Sequence, residues 1–364
     1  MRFITQFVPQ ISYVLVLLLL LGVPVSGVLL KAETASEDAS PASASEERAE
    51  ALDAMRRQIQ FAPSSERRTA IHKIKNLEET EQPPFVTLIQ KLAVEDADPL
   101  VRAACIDVLT ELEDSSSEQV FLKALEDRNR DVVQAALSGL TRIEAKGAGE
   151  PVARLVREED FQDNNQILGG MIRLLGKIKY TPIAPFLEEK ARDNNTNPEI
   201  VQTIVLYFGR AGVNDSYDYL LELAKDSSAS VTTRAYAVNS LGHLGNRNCI
   251  ADLQTELQNI KDIPDSRERA RFNTLKVHLL ASLARLGDES VHAEILAAAR
   301  DDNAGVRTRA VEQIAAARIT AGRELLEYMS EHDPDRRVQQ AAKKALSELN
   351  GETAEQGNDE DESQ

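Results

Sequence analysis

The chain has 364 residues, a formal net charge of −17 and a hydrophobic share of 42%. Only 4% of its residues are aromatic and none is Trp, which favours an Ala- and Leu-rich helical array over a globule with an aromatic core. The acidic excess argues against nucleic acid as a partner, because a negative surface repels phosphate backbones.

The first 32 residues contain an apolar run, two basic residues outside that run, and no acidic residue. Residues 14–23 have the length of a signal-peptide core, and a proline and small residues follow them. The alternative is an uncleaved anchor, because residues 11–30 are long enough to span a bilayer. We therefore expect an exported protein, periplasmic or extracytoplasmic, in which residues 1–32 are a signal peptide or an N-terminal membrane anchor.

Two acidic segments flank the rest of the chain. Residues 33–47 are rich in Ala, Ser and Glu, and residues 351–364 carry acidic side chains and no basic one. Low hydrophobicity combined with excess charge is typical of disorder. The sequence therefore predicts a disordered linker, a disordered tail and a folded region between them, over residues 48–350.

Residues 48–350 repeat one pattern, spelled VRAACIDVLTEL at residues 101–112. One apolar residue, called the anchor below, marks each copy of the pattern. The anchors are Ile74, Leu109, Leu140, Leu175, Phe208, Leu241, Leu283, Ile314 and Leu346. They lie 31 to 42 residues apart, a period that is typical of stacked supersecondary units.

Apolar or small residues precede each anchor by three and four positions and follow it by three, which places them on one face of a helix. Capping side chains before a proline predict where three of these helices begin. They are Asp98, Asn197 and Asp333. Glycines that directly follow the last apolar residue predict left-handed helix ends. They are Gly212, Gly245 and Gly287.

A shorter amphipathic segment precedes each anchor helix. The first pair is predicted at residues 48–62 and 64–77. The later segments lie at about residues 84–94, 117–126, 150–158, 183–192, 216–226, 250–260, 289–300 and 321–331. Each repeat is thus a helical hairpin, and about nine of them stack because one hairpin cannot bury its apolar face alone. The predicted fold is all-α: an α-solenoid, a superhelix of stacked antiparallel helix pairs. Lys343 replaces an apolar residue in the last hairpin, as expected of a cap.

The longest step between anchors contains an insertion over residues 260–274. We expect a loop at residues 262–266, followed by one long helix at residues 267–286. The insertion is either a tolerated surface feature or a ridge that contacts a partner. In the second case its exposed side chains would be Arg267, Arg269, Arg271 and Phe272.

Several short sequence motifs in these repeats also occur in a known family. They are the DPLVRAAC start at residues 98–105, Val306–Arg307, and the endings LGKI at 175–178 and LGHLG at 241–245. Over about residues 50–350 the chain resembles the HEAT repeat family, in particular the short repeats of phycobilisome lyases. The resemblance implies that the second helix of each hairpin lines a concave, ligand-holding surface. It does not imply one function, because such repeats serve many.

The middle hairpins carry a basic or titratable residue two positions after the anchor. These residues, called the basic stripe below, are Arg142, Lys177, Arg210, His243 and Arg285. Equivalent positions align in a solenoid, so the stripe predicts a groove for an acidic peptide segment, with Tyr207 and Tyr236 near it. The alternative is that each cation only interacts with the dipole of its helix C-terminus.

Catalytic motifs are missing from the sequence. It contains no His-Glu-x-x-His, Cys-x-x-Cys, phosphate-binding glycine loop or Gly-x-Ser-x-Gly. Deoxyhypusine hydroxylases, which are HEAT-like, bind iron through His-Glu pairs, whereas no His here is followed by Glu. Cys105 occupies a small-residue core position, and Cys249 is too far along the array to pair with it. We therefore expect no enzyme activity, no metal, no cofactor and no disulfide.

The sequence favours a scaffold for protein–protein interaction at the cell envelope, which binds a protein partner along the concave surface. A lyase or maturation factor that acts on a cofactor-bearing protein is one alternative. A membrane-tethered structural spacer is another. Neither the partner nor the oligomeric state follows from the sequence.

Overall fold

The computed structural model describes residues 41–351. The predicted signal peptide or anchor, the first part of the linker and the tail after Gly351 lie outside the described residues. Nineteen α-helices and no strand occur in residues 41–351, which confirms the all-α fold. No helix in this part of the chain is long and apolar enough to cross a membrane.

The described residues divide into two compact units, with the boundary between Ala70 and Ile71. The single array over residues 48–350 stays a prediction. In the first unit, α1 (Pro41–Phe61) begins inside the predicted linker. The prediction of disorder is therefore wrong for residues 41–47, where Ala and Glu after a proline favour a helix. The helix predicted at residues 64–77 is shorter, because α2 (Ser64–His72) gives way to a 3₁₀ turn at Ile74–Asn76.

The second unit consists of helical hairpins close to their predicted positions. The first helices are α3 (Pro83–Glu95), α5 (Glu118–Ala124), α7 (Gly149–Glu158), α9 (Ala184–Arg192), α11 (Tyr217–Lys225), α13 (Ile250–Lys261), α16 (His292–Ala298) and α18 (Arg323–His332). The second helices are α4 (Pro99–Glu111), α6 (Arg130–Arg142), α8 (Gln166–Lys177), α10 (Pro198–Ala211), α12 (Val231–Leu244), α15 (Asn273–Arg285), α17 (Ala304–Ala316) and α19 (Arg336–Asn350). Each second helix packs on its own first helix. Neighbouring second helices also pack on each other, most weakly between α15 and α17, whereas the first helices contact one another little. The second helices therefore form the main layer.

The anchors form the core of this layer. From Ile74 to Ile314 every anchor is fully buried, and only Leu346 in the last hairpin is half-buried. Lys343 is exposed on α19. The polar outer face expected of a terminal repeat is therefore present, and one buried face per hairpin accounts for the stacking.

Two of the three predicted helix caps are confirmed. The side chain of Asp98 accepts a hydrogen bond from the N–H of Leu100, and Asn197 accepts one from Glu199. Asp333 does not cap the start of α19, because that helix begins three residues later, after Asp335. Asp333 instead forms an ion pair with Arg307 of the preceding hairpin, at 2.8 Å.

One turn position after every second helix from α4 to α17 adopts a left-handed conformation, four residues after the anchor. Gly212, Gly245 and Gly287 do so with φ of 74°, 72° and 82°, as predicted. The same position is not glycine elsewhere. It is Glu113, Glu144, Lys179 and Arg318, with φ between 48° and 57°.

The second helices approach one another most closely where glycine faces serine. A Cβ on Gly209 would lie 2.6 Å from the Cα of Ser240, and one on Gly242 would lie 2.6 Å from Oγ of Ser282. The buried Ser240 hydroxyl donates to the carbonyl of Val205 at 2.7 Å, which binds α12 to α10. These contacts hold the helices that carry the stripe in a fixed order.

The insertion contains two helices and not one. The short α14 (Ser266–Ala270) ends in a turn at residues 271–272 before α15 begins. The predicted long helix is therefore wrong, although the predicted loop is present at residues 262–265.

Candidate functional site: the basic stripe

All five stripe residues lie in the last turn of consecutive second helices, α6, α8, α10, α12 and α15. Arg142, Lys177, Arg210 and His243 are exposed, and Arg285 is half-buried. The structure thus places the residues in register at one edge of the second-helix layer. A cation in this place also interacts favourably with the helix dipole, so position alone does not distinguish the two interpretations.

The first two stripe residues form ion pairs with the preceding hairpin. Arg142 donates to the carboxylate of Glu113 at 2.5 Å, and Lys177 lies 3.6 Å from Glu144. Both acids occupy the left-handed turn position described above. The turn residue of one hairpin therefore neutralises the stripe cation of the next.

This relation stops at Arg210. Its backbone lies beside α8, since a Cβ on Gly176 would be 3.6 Å from Cβ of Arg210. The turn position that precedes it is Lys179, a second exposed cation. Among the described residues, neither Arg210 nor Lys179 forms an ion pair. In the register that pairs Glu113 with Arg142 and Glu144 with Lys177, the turn position before Arg210 carries a cation and no carboxylate, so this part of an acidic protein is positively charged. The sequence pattern did not reveal Lys179, because only glycine signals a left-handed turn position from sequence.

His243 and Arg285 follow turns that carry no charge, Gly212 and Gly245. Nη1 of Arg285 lies 3.4 Å from the amide oxygen of Asn239, a weak contact. The turn position supplies no carboxylate to either residue, so the part of the stripe from Arg210 onward differs from the part before it.

One of the two predicted aromatic contacts is wrong. Tyr207 is 1% exposed, and its hydroxyl donates to the carbonyl of Tyr180 at 2.7 Å between hairpins. Burial raises the pKa of this phenol and keeps it neutral. Tyr207 is thus a packing residue. Tyr236 is half-buried, with its ring perpendicular to that of His278 at 6.1 Å.

The insertion exposes two of its three arginines. Arg267 and Arg271 are exposed, whereas Arg269 is half-buried and donates to the carbonyl of Ile263 at 2.9 Å. Phe272 is half-buried and not exposed as predicted. The ridge therefore exposes two arginines, and its aromatic side chain is half-buried.

A shallow groove also lies between α4 and α6. Its lining consists of Ala103, Asp107, Asp131, Gln134, Ala135 and Ser138. Burial of the Asp107 carboxyl group in this groove raises its pKa, and the nearby His72 opposes that rise. The groove is acidic and separate from the stripe, and its small residues leave little apolar surface.

Metal-binding geometry does not occur in residues 41–351: no three His, Cys, Asp or Glu side chains gather there. Cys105 and Cys249 are both buried, and neither is in a disulfide. The predicted burial of Cys105 is therefore confirmed. Burial raises the pKa of the Cys249 thiol, which keeps it protonated and unreactive.

One part of the chain matches a known protein family. Residues 85–167 match the family of HEAT repeats, which confirms the resemblance over that range. No curated protein matches the chain by sequence. Human deoxyhypusine hydroxylase in complex with glycerol is 17% identical, with a TM-score of 0.32, over 74% of this chain and 96% of that one. Kap121p is 13% identical, with a TM-score of 0.37, over 85% of this chain and 41% of its own length.

Proposed function

We propose that this chain, which carries HEAT repeats, is a non-enzymatic scaffold that binds an acidic segment of a partner protein at the basic stripe. The observation that carries the proposal is the pair Lys179 and Arg210. Both are exposed cations, and the turn position that holds Glu113 before Arg142 and Glu144 before Lys177 holds Lys179 before Arg210. Two uncompensated charges on a rigid helix layer favour a carboxylate-rich ligand over a neutral one.

The HEAT-type array supports the proposal in a second way. Stacked hairpins repeat the same exposed position at regular intervals, so an extended segment meets one contact per hairpin. Exposed ion pairs are individually weak, about 0.2–1 kcal/mol each. Several of them in series would therefore give moderate affinity that falls as the salt concentration rises.

We also propose that the scaffold acts outside the cytoplasm. The support is the apolar run at residues 14–23, which lies outside the described residues. Cell fractionation tests this proposal. A processed chain in the periplasmic or extracellular fraction indicates cleavage, and an unprocessed chain in the membrane fraction indicates an anchor. A cytoplasmic chain of full length would overturn export.

The binding proposal is tested by affinity capture from an envelope extract of the source cells, with the exported chain as bait. Lys179→Glu places a carboxylate at the turn position that Glu113 and Glu144 occupy, so it should neutralise Arg210 without disturbing the fold. We expect it to release a salt-sensitive partner that the wild type retains. The matched control is Arg142→Gln, which removes a cation that is already paired. Equal capture by all three proteins would overturn the proposal, as would equal loss in both variants.

A further inference from the structure

We propose that the partner's acidic segment also carries an aromatic side chain, which packs on a row of half-buried residues beside the basic stripe. The row consists of Leu206 on α10, Tyr236 on α12 and His278 on α15, and is called the inner row below. This inference rests on the proposed function for the acidic part of the ligand. The aromatic part stands on the packing of the three helices.

The inner row lies on the same helix faces as the stripe. Leu206 precedes Arg210 by four positions, which is about one helical turn. Tyr236 and His278 precede the stripe residues of their own helices by seven positions, which is about two turns. Positions four and seven apart share one face of a helix. The row therefore runs beside the stripe, about 6–11 Å nearer to the helix starts.

Contacts between the helices bring the three side chains together. The side-chain amide of Gln202 on α10 donates to Oγ1 of Thr233 on α12 at 3.4 Å. The glycine–serine contact between the same helices follows seven residues later on each of them. Leu206 and Tyr236 lie between these two contacts, and the ring of Tyr236 stands perpendicular to that of His278 at 6.1 Å. The inner row is therefore one surface that crosses three helices.

The first two stripe helices offer no such surface. Four positions before the stripe residue they carry Ser138 and Arg173, and seven positions before it they carry Ala135 and Gly170. These side chains are small or charged and give an aromatic ring little apolar surface to pack on. The inner row thus occurs in the helices whose preceding turns supply no carboxylate to the stripe, so one ligand can use both features.

Charge around the inner row favours an anionic ligand. The three helices contain a single carboxylate, that of Glu199 in the first turn of α10. Glu199 precedes Arg210 by eleven positions, so it lies about 16 Å along the helix from the stripe. Arg210 and Lys179 are exposed and form no ion pair in residues 41–351. A neutral aromatic ligand would not use these cations, whereas an acidic segment with an aromatic side chain complements both the charge and the ring of Tyr236.

The distance between helices sets the spacing of the ligand's side chains. Packed helices lie about 8–10 Å apart, and an extended segment advances about 3.3 Å per residue. A carboxylate at every third position therefore meets the ends of successive helices. The expected ligand has carboxylates three residues apart and an aromatic side chain between them.

The test uses three fluorescein-labelled peptides as probes and the full chain as the receptor, at low salt. EGFEGFE has both features, EGSEGSE lacks the aromatic side chains and QGFQGFQ lacks the carboxylates. We expect the wild type to bind EGFEGFE about three- to tenfold more tightly than EGSEGSE in fluorescence anisotropy, because an aromatic pair has about that effect. Tyr236→Ala and Leu206→Ala should each reduce this preference and leave the affinity for EGSEGSE unchanged. The matched control is Ser138→Ala, at the position on α6 equivalent to Leu206, and it should keep the preference.

Circular dichroism of each variant checks that the fold is retained, and the comparison of peptides on the wild type needs no variant. Equal affinity of the wild type for EGFEGFE and EGSEGSE would overturn the proposal, and it would leave the proposed function standing if Lys179→Glu abolishes the binding of both. A preference that survives Tyr236→Ala and Leu206→Ala would also overturn the proposal. Binding of QGFQGFQ as tight as that of EGFEGFE, lost in Tyr236→Ala, would support the inner row and sink the proposed function. Binding of none of the three peptides would overturn both.

Discussion

The stripe before Arg210 and the stripe from Arg210 onward use the same two positions differently. In α6 and α8 the stripe cation is neutralised by an acidic turn residue of the preceding hairpin, Glu113 or Glu144. For α10, α12 and α15 the turn residue of the preceding hairpin is Lys179, Gly212 and Gly245. The residue at the turn position can therefore either relieve the backbone conformation, when it is glycine, or neutralise the next stripe cation, when it is acidic. A glycine adopts the left-handed conformation at no steric cost, and it also offers the next cation no carboxylate.

Helix packing differs between the same two regions. Between α8 and α10, a Cβ on Gly176 would make an ordinary contact at 3.5 Å. Between α10 and α12, and between α12 and α15, glycine faces serine and a Cβ would not fit. The second helices α10, α12 and α15 thus lie closer to one another than α8 lies to α10, which gives the charges at their ends a defined spacing.

The largest expected effect tests that packing difference. Gly209→Ala inserts a Cβ 2.6 Å from the Cα of Ser240, and backbone at that distance must shift. Overpacking of this kind lowers the free energy of unfolding by about 1–3 kcal/mol. The matched change Gly176→Ala meets only ordinary contacts and should be neutral or stabilising, by up to about 1 kcal/mol. Thermal unfolding followed by circular dichroism separates them, and equal losses would contradict the packing difference.

The next effect contrasts a buried ion pair with an exposed stripe pair. The side chains of Arg307 and Asp333 are only 11% and 5% exposed. Asp333→Asn leaves this guanidinium without its carboxylate and should lower the free energy of unfolding by about 2–3 kcal/mol. Glu113→Gln breaks the exposed pair with Arg142 and should lower it by at most about 1 kcal/mol. Comparable losses in urea titrations would show that stripe pairs are structural after all.

The ion pair between Arg307 and Asp333 also predicts how stability depends on pH. Hydrogen bonds from Arg307 hold the pKa of Asp333 below the ordinary value. A lowered pKa in the folded state contributes stability that is present above the unfolded pKa of about 3.9 and is lost as the pH falls through the folded pKa. The difference in unfolding free energy between the wild type and Asp333→Asn should therefore decrease below about pH 4. A difference that increases there would contradict this sign.

A smaller effect is expected when glycine and other residues are exchanged at the turn position. Lys179→Gly should raise the free energy of unfolding by about 0.5–1 kcal/mol, because glycine adopts the left-handed conformation without a Cβ penalty. Gly245→Ala should lower it by a similar amount, and no atom lies within 4 Å of its added Cβ to complicate the result. Melting temperatures that change in the same direction would show that conformation does not govern this position.

The smallest effect concerns the insertion. Arg267→Gln together with Arg271→Gln removes two exposed charges that have no ion pair among the described residues. We expect a change in unfolding free energy within about 0.5 kcal/mol and unchanged partner capture. A loss of capture would move the interface from the stripe to the ridge.

The repeat and its core were predictable because they depend on local spacing. Offsets of three and four residues decide which side chains share a helix face, and every anchor from Ile74 to Ile314 is buried accordingly. Contacts between hairpins did not follow from that spacing. Tyr207 precedes an anchor by one position, and its burial depends on the neighbouring hairpin, which supplies the carbonyl of Tyr180.

The site was predictable in part for the same reason. Register placed the five cations on one edge, but the partners of Arg142 and Lys177 come from the preceding turn. Lys179 became visible only once the turn position was shown to be left-handed with residues other than glycine. The turn at residues 271–272 that separates α14 from α15 contains no glycine or proline, so no local sequence feature predicted it.

The central claim is that the uncompensated cations Lys179 and Arg210, and not the paired ones, touch the partner. The most direct measurement is photo-crosslinking in the source cells, with p-benzoylphenylalanine introduced in place of Arg210 in one strain and of Arg142 in another. Each replacement removes one cation at an equivalent exposed position, so the two sites are matched. We predict a defined protein adduct at position 210 and little at position 142. An adduct at position 142 alone, or equal adducts at both, would contradict the account.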